Sequence, residues 1–441
     1  MSMIDPDNTA AGAEPTATEP ARELPSQGRE RVPLVMAEPR DRDPEEARSS
    51  PLGLVLIAGL FALLWFGAGP RYFFVVVGLL VMIFLHELGH FLTARWTGMK
   101  ATQFFLFMGP RIWSFQRGET EYGIRALPIG AFVRIVGMHN LDPCDPEDEP
   151  RAYKNKSYPR RMLVITAGSI MHFLQAIILF MIVTSVIGLD DPNKWSIGEV
   201  SRLETGETPA LVAELEPGET ILAVDGVDST DWTELRTYIR EHPGDEVALT
   251  VLSDGETTVR TTTLATLTDE ESGEEFGFLG VAPQFERTRE SPLLAAEMFG
   301  QTFWGALKAI PMFLSPSTFG DLATLMFSGS ADVDRTSDEA NRPISVVGAV
   351  RIAGQPDFDI SWPISLLAIL NIFIGLLNLL PLLPLDGGHA AIATYERIRS
   401  RKGQRYHVDV AKLLPLTYAV VFVLGFIMIS TVYLDIVRPI S

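Results

Sequence analysis

HELGH, residues 86–90, lies inside the run VVVGLLVMIFLHELGHFLTARW (75–96), a stretch apolar enough to live in a bilayer. His86 and His90 are four residues apart, so on a helix they share a face and both can reach one metal ion. Glu87, one position on, would lie beside that ion and could take a proton from water there. In a water-soluble helix H-E-x-x-H is a moderate signal. At the centre of a span a charged residue costs about 2.5–3.5 kcal/mol, so ionisable groups there are seldom idle. The bland alternative is a polar contact between helices.

A zinc (Zn2+) site of this kind needs a third protein ligand and an open position. The candidates in or near other apolar runs are His172, Asp386 and His389. Asp386 stands in NLLPLLPLDGGH (378–389), where Pro381 and Pro384 break the helical pattern and Gly387 and Gly388 loosen the next turn. Broken helices in membranes are tolerated where they line a water-filled cavity, and a buried hydrolytic site needs water. His139, His242 and His407 fall in polar loops and need no special role.

The elements that must position these residues can be read from hydropathy. Five apolar stretches are long enough to span, at 52–68, 72–97, 162–188, 362–385 and 413–433, the fourth interrupted by its prolines. Leu293 to Leu314 carries Glu297, Gln301, Lys308 and Pro311 and reads as an amphipathic helix lying at the interface. Arg95, Lys100, Arg151, Lys154, Lys156, Arg160 and Arg161 flank the second and third spans, and YERIRSRKGQRYHVDVAK precedes the last. The Lys/Arg bias therefore puts both segments, and the N-terminal tail, in the cytoplasm, and the acidic region 190–290 outside. This parity holds only if Leu293 to Leu314 does not cross.

The chain is thus expected to be a polytopic α-helical membrane protein with a membrane-associated β-hairpin segment and an inserted extracytoplasmic α+β domain. Residues 1–50, rich in Pro, Glu, Ala and Arg, read as a disordered acidic tail with no cleavable signal peptide. The membrane domain is expected over 51–190 and 362–441, the inserted domain over 195–285, and the interfacial helix with an outer segment over 291–361. A net charge of −19 argues against nucleic-acid binding, and the single cysteine, Cys144, forbids an intramolecular disulfide and reads as a loop thiol.

Inside the inserted domain, ILAVDGV and EVALTVL read as strands, WTELRTYIREH as a helix, and Asp254-Gly255 as a hairpin turn. PGETILAVDG resembles a PDZ signature. FLGVAP resembles the carboxylate-binding loop of circularly permuted PDZ domains, in which the backbone of Phe278, Leu279, Gly280 and Val281 would hold a peptide terminus. The plainer reading is a small spacer domain.

HELGH in one span followed by N-x-x-P-x-x-x-x-D-G in a later one (Asn378, Pro381, Asp386, Gly387) resembles the site-2 protease family of zinc intramembrane proteases. The likeness runs from about Tyr72 to the C-terminus. It implies His86, His90 and Asp386 as zinc ligands and Glu87 as catalytic base. It also implies Asn378 near the metal, where its amide could bind substrate backbone or stabilise an oxyanion. RGETEYGIRALPIGAFVRIVGM (117–138) resembles the family's membrane-associated β segment. Its edge would pair with an unwound substrate, with Ile124, Ala126 and Phe132 against it. NRPISVVGAV (341–350) resembles the family's outer segment. TAGSIMHF (166–173) departs from the family's A-G-P-x-x-N-F, with Ser169 for Pro and His172 for Asn.

The resemblance implies cleavage, within the lipid bilayer of the plasma membrane, of a transmembrane segment of a single-pass protein, such as an anti-sigma factor or a remnant signal peptide, after an upstream site-1-type protease has acted. The rival readings are a PDZ-bearing scaffold or chaperone without catalysis, a metal transporter, and a peptidase of exposed segments.

Overall fold

The structure, a computed structural model, describes residues 51–138, 144–202, 206–269, 273–327, 343–353, 359–400 and 406–437. The acidic tail, His139 and Asn341 lie outside the described residues. Five helices are long and apolar enough to cross a membrane: Pro51–Ala68, Pro70–Trp96, Tyr158–Ile187, Ser361–Asn378 and Val410–Val437.

Helix α1 (Pro51–Leu63) leads into α2 (Pro70–Trp96), the helix of HELGH. The chain then forms a long antiparallel ribbon, β1 (Ala101–Arg117) and β2 (Thr120–Ile135). The resemblance marked only 117–138; the aromatic run before it is the other half of the same hairpin. The ribbon curls on itself. Phe104 pairs with both Val133 and Tyr122, so 101–106 lies between 131–135 and 120–124, and 120–124 pairs in turn with 113–117. Ile124 is flanked on both sides, by Leu106 and Trp113, so its backbone cannot accept a further strand. Phe132 pairs only with Phe105, on which it also stacks at 5.6 Å. The segment 131–135 is therefore an edge, and it runs beside α2.

Helix α3 (Tyr158–Met181) packs against α2 and continues as a wider turn to Ile187. Next comes the polar αβ region. Strand β3 (Leu189–Val200) is followed by α4 (Pro209–Val212), β4 (Thr220–Val224), β5 (Val227–Asp228) and α5 (Trp232–Glu241). Then come β6 (Glu246–Ser253), β7 (Glu256–Thr263), β8 (Ala265–Thr268), β9 (Glu275–Phe278) and β10 (Val281–Thr288). The main sheet has the order β5-β4-β6-β7, while β3 pairs with β10 and β8 with β9. Alternation along β6 turns Val247, Leu249 and Val251 inward, and Ile221 and Val224 of β4, on either side of a register shift, join them against Leu235 and Ile239 of α5. Asp231 caps α5 with its carboxylate. Asp254-Gly255 closes the β6–β7 hairpin with both residues at positive φ, the geometry that the Asp-Gly pair favours.

Helix α6 (Pro292–Phe313), expected as an interfacial helix, is not among the five helices apolar enough to cross, and it packs on the bundle by one face. Phe299 and Phe303 meet Phe173 of α3, and Ala295 and Ile310 are buried in one cluster with Ala176 and Phe180. The helix joins the bundle because this aromatic face packs on α3, while Glu297 and Gln301 satisfy each other at 3.1 Å. Helix α7 (Pro316–Phe327) packs on α11 (Leu414–Val437). Before α8 (Val346–Ala353), the Ser345 N–H reaches Asp435 at the far end of α11. The chain begins α6 beside Thr184, at the end of α3, with Glu290 N–H donating to its carbonyl. It enters α9 (Ser361–Asn378), whose Leu367 packs with Val75 and Leu79 of α2. The fourth apolar run ends as a helix at Asn378, not at 385; α10 (Asp386–Arg399) then starts afresh.

Arg287 of β10 forms an ion pair with Asp359, just before α9. Burial would push the Asp359 carboxyl up, but Ser361 and Arg287 together hold it down at about 2. A lowered carboxyl pKa adds stability that is complete above the unfolded value of about 3.9 and is lost as pH falls through about 2. Protection of this junction from limited proteolysis is therefore expected to be flat from pH 8 to 5. Asp359→Asn should raise cutting there about two- to fivefold, as befits a partly exposed pair.

Candidate metal centre

His86 and His90 come one turn apart on α2 and both are buried. Their Nε2 atoms are 3.1 Å apart. Asp386, the first residue of α10, brings its Oδ2 to 3.4 Å from His86 Nε2 and 3.2 Å from His90 Nε2. The unwound segment 379–385 makes this possible. Pro381 and Pro384 end α9, and short turns carry the chain back to α10, with Leu382 N–H donating to Leu380 and Gly388 N–H to Leu385. Gly387 admits the close return: a Cβ there would lie 2.2 Å from the Leu380 carbonyl oxygen.

Three observations test whether a metal fits. His90 Nδ1–H donates to the Val164 carbonyl of α3 at 2.7 Å, which leaves Nε2 as the lone-pair atom facing the cluster. Asp386 Oδ2 is buried with no hydrogen-bond donor among the described residues. Finally, three donor atoms around a four-coordinate ion with bonds of about 2.0–2.1 Å stand about 3.3 Å apart, and the observed edges are 3.1, 3.2 and 3.4 Å. A cation between them satisfies three mutually repelling lone pairs at once. Among the described residues this is the grouping of His, Cys, Asp and Glu that could hold an ion.

Gly168 of α3 forms the wall of the cluster. A Cβ on it would fall 2.4 Å from His86 Cε1 and 2.5 Å from His90 Nε2. Glu87 is half-buried, and the Val133 N–H of the β2 edge hydrogen-bonds its carboxylate.

The other candidates divide. His172 is buried with its ring 4.8 Å from that of His86, and its Nδ1–H donates to Asn371 Oδ1 at 2.9 Å. Asn371 in turn donates to Leu367 O at 2.8 Å, which assigns its oxygen to His172. His172 thus lines the centre without being one of the three grouped ligands. His389, three residues past Asp386, is outside the group as well. Asn378 ends α9, half-buried, with no hydrogen bond to the three ligands among the described residues. Phe278, Leu279, Gly280 and Val281 belong to the αβ region, where the Leu279 and Gly280 carbonyls accept from the Ala210 and Ser201 N–H groups. Cys144 is a free thiol, His242 stacks on Tyr238, and His407 lies 3.8 Å from Glu396. Gly168 and Asn371 were not singled out from sequence. The one signal was an amide in the otherwise apolar run SLLAILNIFIGLL.

The model of peptidase family M50 matches residues 74–423. The chain belongs to peptidase family M50. That match spans both halves of the metal cluster and all of the αβ region between them. M50 relatives include the zinc metalloprotease Rip1 of Mycolicibacterium smegmatis, 34% identical over 414 residues, covering 85% of this chain and 99% of the relative. Another is Rip1 of Mycobacterium tuberculosis, 32% identical over 404 residues and covering 82% and 96%. This M50 chain is accordingly a multi-pass membrane peptidase, with the histidines of its candidate centre on a helix long and apolar enough to cross the bilayer.

Proposed function

We propose that the chain is an intramembrane zinc endopeptidase in which His86, His90 and Asp386 hold the metal and Glu87 is the general base. The observation that carries this reading is the donor-free face shared by two buried histidines of the apolar helix α2 and the half-buried Asp386 at the start of α10, with edges of 3.1–3.4 Å. When bound, zinc supplies Lewis acidity toward the scissile carbonyl and toward attacking water. Glu87 accepts the proton of that water and returns it to the leaving amine. Val133 N–H orients the carboxylate, and the Val164 carbonyl keeps His90 in the ligating tautomer. Asn378 would bind substrate backbone or stabilise the developing oxyanion.

A helical substrate hides its peptide bonds in its own hydrogen bonds and must be drawn into extended form to be cut. The edge 131–135, carrying Phe132 and lying next to Glu87, offers the backbone partners that would hold it so. The substrate class in keeping with such an edge is a transmembrane segment of a single-pass protein, of the anti-sigma-factor or remnant-signal-peptide type, already shortened by a site-1-type protease. We place the αβ region outside the cytoplasm, as a PDZ-like size filter or terminus reader, from the Lys/Arg bias of the other loops.

The test is cleavage of a tagged single-span substrate by the purified chain in detergent. Stripping zinc with a chelator should reduce cleavage below detection, and one equivalent of zinc should restore it, with the cut mapped inside the span. Cutting only outside the span would point to a peptidase of exposed segments. Absence of bound zinc from the purified chain would return the scaffold reading.

A further inference from the structure

Away from the metal centre, a cavity of about 360 Å³ opens between the start of α3 and the C-terminal half of α10. Four Lys/Arg side chains (Lys154, Lys156, Arg161 and Arg397) line it against one carboxylate, Glu396, a balance of +3 in a chain whose net charge is −19. Glu396 is already engaged. Its Oε2 is 2.7 Å from Arg161, and its Oε1 accepts from Val408 N–H at 2.8 Å. Lys154 pairs with Glu149 at 2.8 Å. Lys156 and Arg397 have no acidic partner among the described residues, so the cavity holds unneutralised positive charge.

Two further features favour an anion. Ser157 starts α3 without a side-chain capping bond, so at the cavity wall the positive end of the helix is not answered by the cap residue's hydroxyl. Tyr158 is also the first residue of a membrane-spanning helix, which sets the cavity at the boundary between water and lipid. Basic pockets between helices at that level suit lipid headgroups.

We propose that this cavity binds the phosphate of an anionic phospholipid headgroup and so clamps α3 to α10. The same two helices complete the metal centre around the histidines of α2: α3 supplies the Val164 carbonyl and Gly168, α10 supplies Asp386. They already meet through Arg161–Glu396 and the Tyr158–Thr394 hydroxyl contact. A phosphate held by Lys156 on one side and Arg397 on the other adds a third link, and occupancy sets how firmly Asp386 is presented to the histidines. This effect on turnover rests on the protease reading; the binding does not.

The full chain, purified in detergent, is titrated with dioctanoyl phosphatidylglycerol, dioctanoyl phosphatidylcholine and inorganic phosphate, with binding read by native mass spectrometry and by competition. Phosphatidylglycerol should bind where phosphatidylcholine does not, and Lys156→Gln with Arg397→Gln should weaken it about 30-fold, roughly fivefold per cation, at unchanged zinc content. Arg161 is left alone because its loss would strand Glu396 as a buried, unpaired charge. If inorganic phosphate displaces the lipid only in more than about hundredfold excess, the ligand is the headgroup; equal potency would assign the same cavity to free phosphate. Equal binding of the two lipids, or wild-type affinity in the double variant, overturns the site. In phosphatidylcholine vesicles, adding phosphatidylglycerol should raise cleavage by the wild type and not by the double variant. Equal stimulation of both, with basal cleavage intact, overturns the clamp and leaves the protease reading standing.

Discussion

Gly168→Ala is expected to abolish zinc binding and proteolysis while leaving the chain folded. The new methyl would sit 2.4 Å from His86 Cε1 and 2.5 Å from His90 Nε2, closer than carbon can approach either atom. Neither ring can retreat cheaply. His90 is tied to the Val164 carbonyl at 2.7 Å, and the ring of His172 stands 4.8 Å from that of His86. Loss of supporting groups around a metal typically costs 10–100-fold in affinity; displacing two ligands at once should cost more. Alanine is the best helix former, so α3 itself loses nothing. The check is zinc per chain by elemental analysis, alongside thermal unfolding of metal-free wild type and variant. A Gly168→Ala protein with one zinc and normal turnover would mean that the ion does not sit between His86, His90 and Asp386.

Glu87→Gln should do the reverse: keep the zinc and lose the chemistry. Gln is nearly isosteric, and its carbonyl oxygen can still accept from Val133 N–H, so the β2 edge stays in place beside α2. What disappears is the group that takes a proton from water. General-base catalysis is worth about 10²–10⁴ in rate, so turnover per bound zinc should fall by at least a hundredfold with substrate affinity little changed. Single-turnover cleavage at saturating enzyme separates the two quantities. A variant that cuts within tenfold of wild type would move the base elsewhere, and a buried polar pair beside His86 is His172–Asn371.

Much of this protein was legible in one dimension, for physical reasons that can be named. A span needs about 20 apolar residues whatever its neighbours do, so the five crossing helices could be counted from hydropathy. His86 and His90 share a face because an α-helix repeats every 3.6 residues, and Asp386 stood out because two prolines and two glycines unmake the helix around it. The turn at Asp254-Gly255 came from the positive φ that those residues tolerate.

What the tertiary structure decided is whatever depends on two segments meeting. α6 carries polar residues that read as interfacial, and only the fold shows that its aromatic face packs on Phe173 of α3. Ile124 and Phe132 look alike along β2; only the curl of the ribbon, which pairs 121–124 twice and 131–135 once, leaves Phe132 on the edge and Ile124 inside. Gly168 carries no side chain and therefore no chemical signature; its role exists only because α3 passes within contact distance of the two histidines. Sequence by itself determined which groups could bind a metal and that they would lie in a membrane. The fold alone determined their separations of 3.1–3.4 Å, the carbonyl that sets the His90 tautomer and the cavity between α3 and α10, because each is a distance between residues remote in the chain.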